Sequence, residues 1–233
     1  MAKQKLRKFA DINFFSNVVQ PELRHPVNEF YLRGKWSSDF FCNDLPIILE
    51  IGCGKGEYTV GLARTYPTNN YIGIDIKGDR IWTGAREALE EGLHNAAFLR
   101  IQAERLVHTF AREEVSGIWL TFPDPQLRES RRKKRLTSPQ FLARYARILR
   151  RGSPIHLKTD NKVLFDYTLE VIREGSHKLH FATGDLYRDT VPDEPLIQQV
   201  RTYYENKFLE QGLPICYLKF SLSDDCHAEK DGS

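Results

Sequence analysis

A short apolar run followed directly by three closely spaced glycines restricts the possible folds of this 233-residue chain more than any other feature. Residues Pro46–Ile51 are apolar except for one glutamate, and they lead into Gly52, Gly54 and Gly56. Such a run is typical of a strand buried in a parallel sheet, and glycine permits the tight turn that follows it. Residues Lys55–Tyr66 then show helical spacing and end just before a proline. The pattern predicts a strand, a glycine turn and a helix.

Strand and helix patterns continue to alternate along most of the chain. Further strands are predicted at Tyr71–Ile76, Ala97–Ile101, Val115–Phe122, Ile155–Thr159, Leu179–Gly184 and Ile215–Ser221. Further helices are predicted at Asp79–Glu91, Pro139–Arg150, Val163–Glu174 and Leu196–Glu210. This alternation implies a mostly parallel sheet that is covered on both faces. We therefore expect an α/β fold with one Rossmann-like domain, built on a seven-stranded, mostly parallel sheet with helices on both faces.

Composition divides the chain into three parts. Residues 1–44 are aromatic and basic but weakly periodic, so we expect an N-terminal arm that packs irregularly on the rest. Residues 45–223 carry the alternating pattern without any linker and are expected to form the one domain. Residues 224–233 are mostly polar, and we expect a disordered tail there.

Basic residues are concentrated in two places, although the net charge is only +3. Between Arg128 and Arg135 six basic side chains stand against one acid, and four more basic residues lie within the first eight positions. A local excess of this kind attracts phosphate even when the total charge is nearly balanced. The alternative, a charged face that is merely solvated, remains open for such a run.

The four cysteines lie far apart and form no Cys-x-x-Cys pair. Because neither zinc-ligand nor disulfide spacing is present, we expect reduced thiols in a cytoplasmic protein and no metal site. No apolar segment is long enough to span a membrane, and polar residues interrupt the start before any signal-peptide core. The sequence leaves open whether the protein is a monomer or a homodimer.

The ends of the first three predicted strands carry a candidate nucleoside site. Gly52, Gly54 and Gly56 lack the Gly-x-Gly-x-x-Gly spacing of pyrophosphate cradles. Asp75 ends the second strand, where a carboxylate accepts hydrogen bonds from ribose hydroxyls. Glu50 disfavours a pyrophosphate and favours a cation, such as the sulfonium of S-adenosylmethionine. Gln102 follows the third strand and is able to accept from an adenine amino group, although a surface glutamine is an equal alternative.

Two aspartates follow the next two strands and are expected in the same cleft. Asp124 stands between Pro123 and Pro125, which restrict the backbone of its loop. Asp160 follows the fifth strand, and it is also a candidate N-cap of the next helix.

Six sequence motifs occur together in one order and carry a family resemblance. They are Leu-Glu-Ile-Gly-Cys-Gly-Lys-Gly (49–56), Gly-Ile-Asp (73–75), Phe-Pro-Asp-Pro (122–125), Lys-Lys-Arg-Leu (133–136), Lys-Thr-Asp-Asn (158–161) and Thr-Tyr-Tyr-Glu-Asn-Lys-Phe (202–208). The chain, from about residue 30 to 221, resembles the bacterial tRNA (guanine-N7-)-methyltransferases, which are class I enzymes dependent on S-adenosylmethionine. It departs from that family at Gln102, where an acid is usual, at Gln126, where Trp is usual, and at Arg128, where Lys is usual.

The resemblance implies methyl transfer from S-adenosylmethionine to N7 of guanosine 46 in the variable loop of tRNA. Cofactor positions are then Glu50, Gly52, Gly54, Asp75, Gln102 and Asp124, the last of which is also the catalytic position. Substrate positions are Arg128, Asp160, Thr202, Tyr203, Tyr204 and Glu205. Contacts with tRNA phosphates are expected from Arg131, Arg132, Lys133, Lys134 and Arg135.

The expected chemistry needs no general base, because guanine N7 carries a lone pair and no proton. Catalysis should be mostly positioning and electrostatics. Our hypothesis is that Asp124 holds the guanine by its N1–H and amino donors, and that Asp160 and Glu205 complete the grip. Three other functions remain open: a methyltransferase for protein or small molecules, an RNA-binding module that has lost catalysis, and a nicotinamide dehydrogenase, which Glu50 and the glycine spacing disfavour.

Overall fold

A long twisted sheet forms the centre of the structure, a computed structural model that describes residues 2–22, 30–191 and 197–227, with side chains from Lys5 onward. Its strands are β1 (Val18–Val19), β2 (Ile47–Ile51), β3 (Asn70–Ile74), β4 (Ala96–Leu99), β5 (Gly117–Thr121), β6 (Pro154–Thr159), β7 (Lys178–Thr183) and β8 (Cys216–Ser221). Their order in the sheet is β1-β4-β3-β2-β5-β6-β8-β7. All neighbouring pairs are parallel except those of β8, which runs antiparallel between β6 and β7.

Helices connect the parallel strands, as the crossover rule requires. They are α1 (Ala2–Asp11), α2 (Glu57–Thr65), α3 (Gly78–Glu90), α4 (Leu106–Thr109), α5 (Pro139–Ala146), α6 (Lys162–Glu174), α7 (Tyr203–Glu210) and α8 (Asp224–His227). Short 3₁₀ helices span Ala103–Arg105 and Glu129–Lys134, and Trp36–Phe41 is a π-helical turn.

Alternate residues of each strand pack into two separate cores. Along β4, for example, Ala97 and Leu99 belong to the core that includes α5 and α6, whereas Ala96 and Phe98 belong to the core that includes α2 and α3. Because side chains alternate between the faces of a sheet, the two cores lie on opposite faces. Helices on both faces and a mostly parallel sheet are therefore confirmed.

The sheet has one strand more than the seven expected. The extra strand is β1, which pairs with β4, and it lies inside the arm. The amides of Phe98 and Arg100 donate to the carbonyls of Asn17 and Val19, at 2.8 and 2.9 Å. Two residues are too few to show a strand pattern, so the sequence does not predict β1.

The expectation of an irregular arm is also wrong in part. Its first ten described residues form α1, which packs against α3. Further along, the Trp36 side chain is fully buried in the core, and its indole N–H donates to the carbonyl of Thr109 at 3.0 Å. The arm thus contributes a helix, an edge strand and a core anchor to the fold.

Two predicted elements end in different places. The helix predicted at Leu196–Glu210 starts only at Tyr203, because Thr202 and Glu205 form a capping box there; residues 192–196 lie outside the described residues. The predicted disordered tail is wrong for Asp224–His227, which form α8 with His227 buried. Residues 228–233 lie outside the described part. No helix in the described ranges is both long and apolar enough to cross a membrane.

Candidate active site

The glycine turn after β2 is fixed by backbone geometry that other residues rarely adopt. Gly52, Gly54 and Gly56 have φ values of 82°, 56° and 77°. A Cβ atom at Gly56 would come within 2.4 Å of the Phe98 ring, so glycine is also required by packing. The amide of Gly52 donates to the carbonyl of Ile74 at 2.8 Å, which ties the turn to the end of β3. The turn is held against the neighbouring strand, as a ligand site at strand ends requires.

Two cavities share Gly52 in their walls. The first has a volume of about 380 Å³ and is lined by Ile51, Gly52, Ile74, Asp75, Ile76, Ile101, Gln102, Ala103, Glu104 and Leu136. The second has a volume of about 270 Å³ and is lined by Glu50, Gly52, Cys53, Gly54, Lys55, Glu57, Arg80, Thr121, Phe122, Thr202, Tyr203 and Tyr204. The first combines apolar side chains with the polar groups of Asp75, Gln102 and Glu104, and the second is rich in charged and aromatic groups.

Asp75 points its carboxylate at the glycine turn. Its Oδ2 accepts from the amide of Gly54 at 3.0 Å, and its Oδ1 accepts from the amide of Lys77 at 2.8 Å. Each oxygen keeps a second lone pair, which leaves acceptor positions for two vicinal hydroxyl groups. The residue at the N-cap of α3 is Lys77, so the carboxylate of Asp75 does not cap that helix. Gln102 lines the same cavity and is exposed.

Glu50 is a buried carboxylate in the wall of the second cavity. Its Oε2 accepts from the amide of Thr59 at 2.9 Å and from the Thr59 hydroxyl, and its Oε1 accepts from the Thr121 hydroxyl. Burial raises the pKa of Glu50 to about 7, although the hydrogen bonds from Thr121 and Thr59 oppose the rise. Because no basic side chain bonds to it among the described residues, a cation bound in the cavity would favour its charged form.

The loop that carries Asp124 is strained on both sides. Phe122 and Gln126 have φ values of 49° and 46°, a left-handed conformation that is costly for residues other than glycine. The amide of Phe122 donates to the carbonyl of Lys158 at 2.8 Å, which fixes the start of the loop to β6. The Oδ1 of Asp124 accepts from the amide of Gln126 at 3.0 Å. Strain of this kind persists only where the surroundings hold the backbone, and it is common at functional sites.

The Asp124 side chain is exposed, and it does not line either cavity. It lies two residues beyond Phe122, which does line the second cavity. No basic side chain pairs with this carboxylate in the described ranges, so both of its oxygens can accept from a ligand. The structure thus places Asp124 beside the cavities rather than inside them.

Asp160 and the start of α7 lie on the β6 side of the site. The N-cap of α6 is Asn161, whose side chain accepts from the amide of Leu164, so Asp160 does not cap that helix. Asp160 is exposed, and desolvation raises its pKa. Tyr203 and Tyr204 line the second cavity and keep 59% and 53% of their surface exposed. Two aromatic rings are therefore available to a ligand at the mouth of that cavity.

Glu205 does not face the cavity, contrary to the sequence expectation. Its carboxylate is fully buried, with Oε1 2.5 Å from the Nζ of Lys158 and 2.8 Å from the hydroxyl of Tyr187. Its Oε2 also accepts from the amide of Thr202 at 3.4 Å. A direct contact between Glu205 and a substrate is not available in this arrangement. Thr202 itself is buried as the N-cap of α7 but still lines the cavity.

The residues of the basic run differ in their exposure to solvent and in their partners. Arg128, Arg131, Lys133 and Lys134 are exposed, as a surface for phosphates requires. Arg132 is partly engaged, because its guanidinium lies 2.8 Å from Glu170 and 3.5 Å from Glu129. Arg135 is only 4% exposed. Its guanidinium is turned toward the protein, onto the carbonyls of Pro125 and Gln126 and the ring of Tyr167, and away from the surface that the other basic residues form.

Sequence reasoning missed several residues that shape the site. Lys55 and Arg80 are cations in the wall of the second cavity, and Lys158 anchors the helix that carries the two tyrosines. The signal for Lys55 was its position inside the glycine turn. Arg80 gave no such signal, because only the fold brings it to the cavity. Lys158 belongs to the motif at 158–161, but its pairing with Glu205 depends on the fold.

Comparison with known proteins agrees with the fold and with the resemblance. Residues 44–218 match the family described as "Putative methyltransferase". A tRNA (guanine-N(7)-)-methyltransferase from Christiangramia forsetii is 49% identical over 222 residues, covering 95% of this chain and 99% of that protein. One from Bacillus subtilis is 36% identical and covers 78% of this chain and 83% of that protein. Among solved structures, the 16S rRNA methyltransferase KamB has a TM-score of 0.61 at 16% identity, covering 84% of this chain and 96% of that one.

The parallel sheet, the glycine turn and the paired cavities define a Rossmann-like methyltransferase of class I. The KamB likeness supports the fold alone. With relatives at this level of identity over nearly its whole length, the chain belongs to the tRNA (guanine-N(7)-)-methyltransferase family.

Proposed function

We propose that this protein transfers the methyl group of S-adenosylmethionine to N7 of guanosine 46 in the variable loop of tRNA, in the cytoplasm. The observation that carries the proposal is the position of Asp124, an exposed carboxylate on a strained loop beside two cavities that meet at Gly52. The names of the relatives support guanine N7 of tRNA as the acceptor.

The residues of the two cavities fit S-adenosylmethionine. The first cavity suits adenosine, because it offers apolar side chains such as Ile101 and Leu136 to the base, Asp75 as the acceptor for the ribose hydroxyls and Gln102 at the adenine end. The second cavity offers Lys55 and Arg80 to a carboxylate and Glu50 to a positive charge. When bound, S-adenosylmethionine supplies an electrophilic methyl group on a positively charged sulfur. The absence of a pyrophosphate cradle and the carboxylate of Glu50 argue against a nicotinamide dinucleotide.

Asp124 binds the guanine that receives the methyl group and does not serve as a general base. The N7 of guanine holds a lone pair and no proton, so attack needs no general base. The carboxylate of Asp124, through the lone pairs that its bond from Gln126 leaves available, would accept from the N1–H and amino group of the guanine and offset the positive charge that develops on the ring. Asp160 follows the neighbouring strand and would also contact the guanine, whereas the buried Glu205 would not.

The RNA-binding surface consists of the exposed basic run and the exposed aromatic rings. Arg128, Arg131, Lys133 and Lys134 would contact phosphates, which position the tRNA without reading its sequence. Tyr203 and Tyr204 would stack on bases near the target.

The decisive experiment compares Asp124→Asn with Asp225→Asn, which changes an exposed carboxylate on α8. Each purified protein is incubated with S-adenosylmethionine and unmodified tRNA, and the digested nucleosides are identified by mass. We expect 7-methylguanosine from the wild type and from Asp225→Asn, and a loss of roughly 100-fold or more with Asp124→Asn although S-adenosylmethionine still binds. A tRNA with adenosine at position 46 should give no product.

The outcomes separate this function from the alternatives. Methylation of protein or small molecules but not of tRNA would favour a methyltransferase of another specificity. Binding of tRNA without methylation would favour an RNA-binding module. Wild-type turnover by Asp124→Asn would refute the role of Asp124 while leaving the reaction itself in place.

A further inference from the structure

Arg135 ends the basic run, but its side chain turns inward. Its Nε donates to the carbonyl of Pro125 at 3.0 Å, and one terminal nitrogen donates to the carbonyl of Gln126 at 3.4 Å. Its guanidinium carbon lies 4.3 Å from the centre of the Tyr167 ring. Because the side chain is buried and its donors face backbone carbonyls, Arg135 is poorly placed to bind a phosphate.

The two carbonyls that Arg135 holds directly follow Asp124. Gln126 has the left-handed backbone described above, and its amide donates to the Asp124 carboxylate. The prolines at 123 and 125 have no N–H group, so the loop has few donors of its own to stabilise this conformation. Arg135, ten residues away in sequence, supplies two donors from a planar fork. The Arg135 side chain therefore holds the same peptide units that orient the Asp124 side chain.

The basic run that leads from the Asp124 loop to Arg135 is also held by hydrogen bonds at its C-terminal end. The amide of Arg135 donates to the carbonyl of Arg132 at 3.2 Å. The hydroxyl of Ser138 donates to the carbonyl of Lys133 at 3.0 Å, and the amide of Ser138 donates to the carbonyl of Arg135 at 2.9 Å. Residues 124–135 thus form a closed loop that carries Asp124 at one end and the exposed cations in its middle.

From this geometry we infer that Arg135 is a positioning residue: it holds the loop that orients Asp124 and does not itself bind tRNA. The inference rests on the proposed function, because it assigns Arg135 to the site where the guanine would be held. It separates two roles within one run of basic residues. Arg131, Lys133 and Lys134 bind phosphate, and Arg135 sets the geometry of the loop to which they are attached.

The test compares Arg135→Lys with the double variant Lys133→Ala/Lys134→Ala. Lysine keeps the charge of Arg135 but not the planar fork or the stacking on Tyr167. With Arg135→Lys we expect kcat to fall by about 10-fold or more, because misplaced catalytic groups are costly, with KM for tRNA and the salt dependence of tRNA binding unchanged. With Lys133→Ala/Lys134→Ala we expect a higher KM, an unchanged kcat and a salt slope lower by about 1 to 2.

A readout independent of turnover is hydrogen exchange at the amide of Gln126, which donates to Asp124. It should exchange faster in Arg135→Lys and in Tyr167→Leu, which removes the ring beneath the guanidinium, but not in Lys133→Ala/Lys134→Ala. Thermal unfolding and binding of S-adenosylmethionine confirm that each variant is folded.

Two results would overturn the inference. One is an Arg135→Lys variant with wild-type kcat and unchanged exchange at Gln126. The other is an Arg135→Ala variant, which removes the charge, that lowers the salt slope as the double lysine variant does; this would make Arg135 a phosphate contact. If the wild type forms no 7-methylguanosine, the proposed function fails, but the exchange and salt measurements still decide the role of Arg135.

Discussion

The Nζ of Lys158 lies 2.5 Å from the Oε1 of Glu205, and neither side chain is exposed to solvent. Lys158 is on β6, and Glu205 is in the first turn of α7. The lysine also donates to the carbonyls of Ile197 and Val200, at 3.2 and 3.4 Å. This pair fixes the start of α7 to the sheet, and α7 presents two exposed tyrosines to the second cavity. Burial lowers the pKa of Lys158, although Glu205 opposes the shift.

Removing one charge of this pair should destabilise the protein strongly, because the other charge would remain buried without a partner. We expect Lys158→Met and Glu205→Gln each to reduce the free energy of unfolding by about 3 to 5 kcal/mol. Glutamine is chosen because it can still serve in the capping box with Thr202. The double variant should lose clearly less than the sum of the two single losses. Denaturant unfolding monitored by circular dichroism measures all three.

The same variants decide whether Glu205 contacts substrate, as the sequence alone suggested. If Glu205→Gln unfolds like the wild type but binds tRNA or guanosine more weakly, the carboxylate reaches the substrate in solution, and its structural role here would be wrong.

A second prediction concerns the buried carboxylate of Glu50. Its pKa is about 7 in the folded protein, against an ordinary value of 4.5. Between these values the folded state binds more protons than the unfolded state, so the free energy of unfolding should fall as the pH rises from 4.5 to 7. The fall attributable to Glu50 is on the order of 3 kcal/mol. Unfolding of the wild type and of Glu50→Gln at a series of pH values isolates this contribution, which the variant should lack. Parallel pH curves for the two proteins would contradict it.

The same group should make ligand binding depend on pH. Ionised Glu50 attracts the sulfonium of S-adenosylmethionine but has no such charge to attract in S-adenosylhomocysteine. We therefore expect affinity for S-adenosylmethionine to rise between pH 6 and 8 and affinity for S-adenosylhomocysteine to change less. Calorimetry with both ligands measures the difference, and Glu50→Gln is the control in which it should disappear. An equal pH dependence for both ligands would show that Glu50 does not sense the sulfur.

The order of strands and helices was predictable because buried parallel strands and amphipathic helices leave different periods in the sequence. The candidate cofactor residues were predictable for the same reason, since strand ends such as those at Glu50 and Asp75 meet at one edge of the sheet. The direction in which individual side chains point was not predictable from the sequence. Arg131 and Arg135 look alike in one basic run, yet the first is exposed and the second is buried over Tyr167. That difference depends on α6, which is distant in sequence.

Glu205 is a second residue whose side-chain orientation the sequence could not predict. Its motif indicated a role near the substrate, and α7 does lie at the second cavity. The side chain turns inward because Lys158 on β6 lies beneath it. A charge in a motif thus locates the site, but the tertiary structure decides which neighbour the charge meets.

The last prediction concerns the exposed ring of Tyr203, which lines the second cavity and has the ammonium of Lys55 5.3 Å from its centre. Its backbone amide donates to Glu57 at 2.8 Å, so the side chain can be changed without disturbing that bond. If a base of the tRNA stacks on the ring, Tyr203→Ala should weaken tRNA binding by about 1 to 3 kcal/mol, while Tyr203→Phe keeps most of the affinity. Filter binding at fixed salt measures both variants. Equal losses for alanine and phenylalanine would assign the contact to the hydroxyl instead of the ring, and no loss for alanine would remove Tyr203 from the RNA surface.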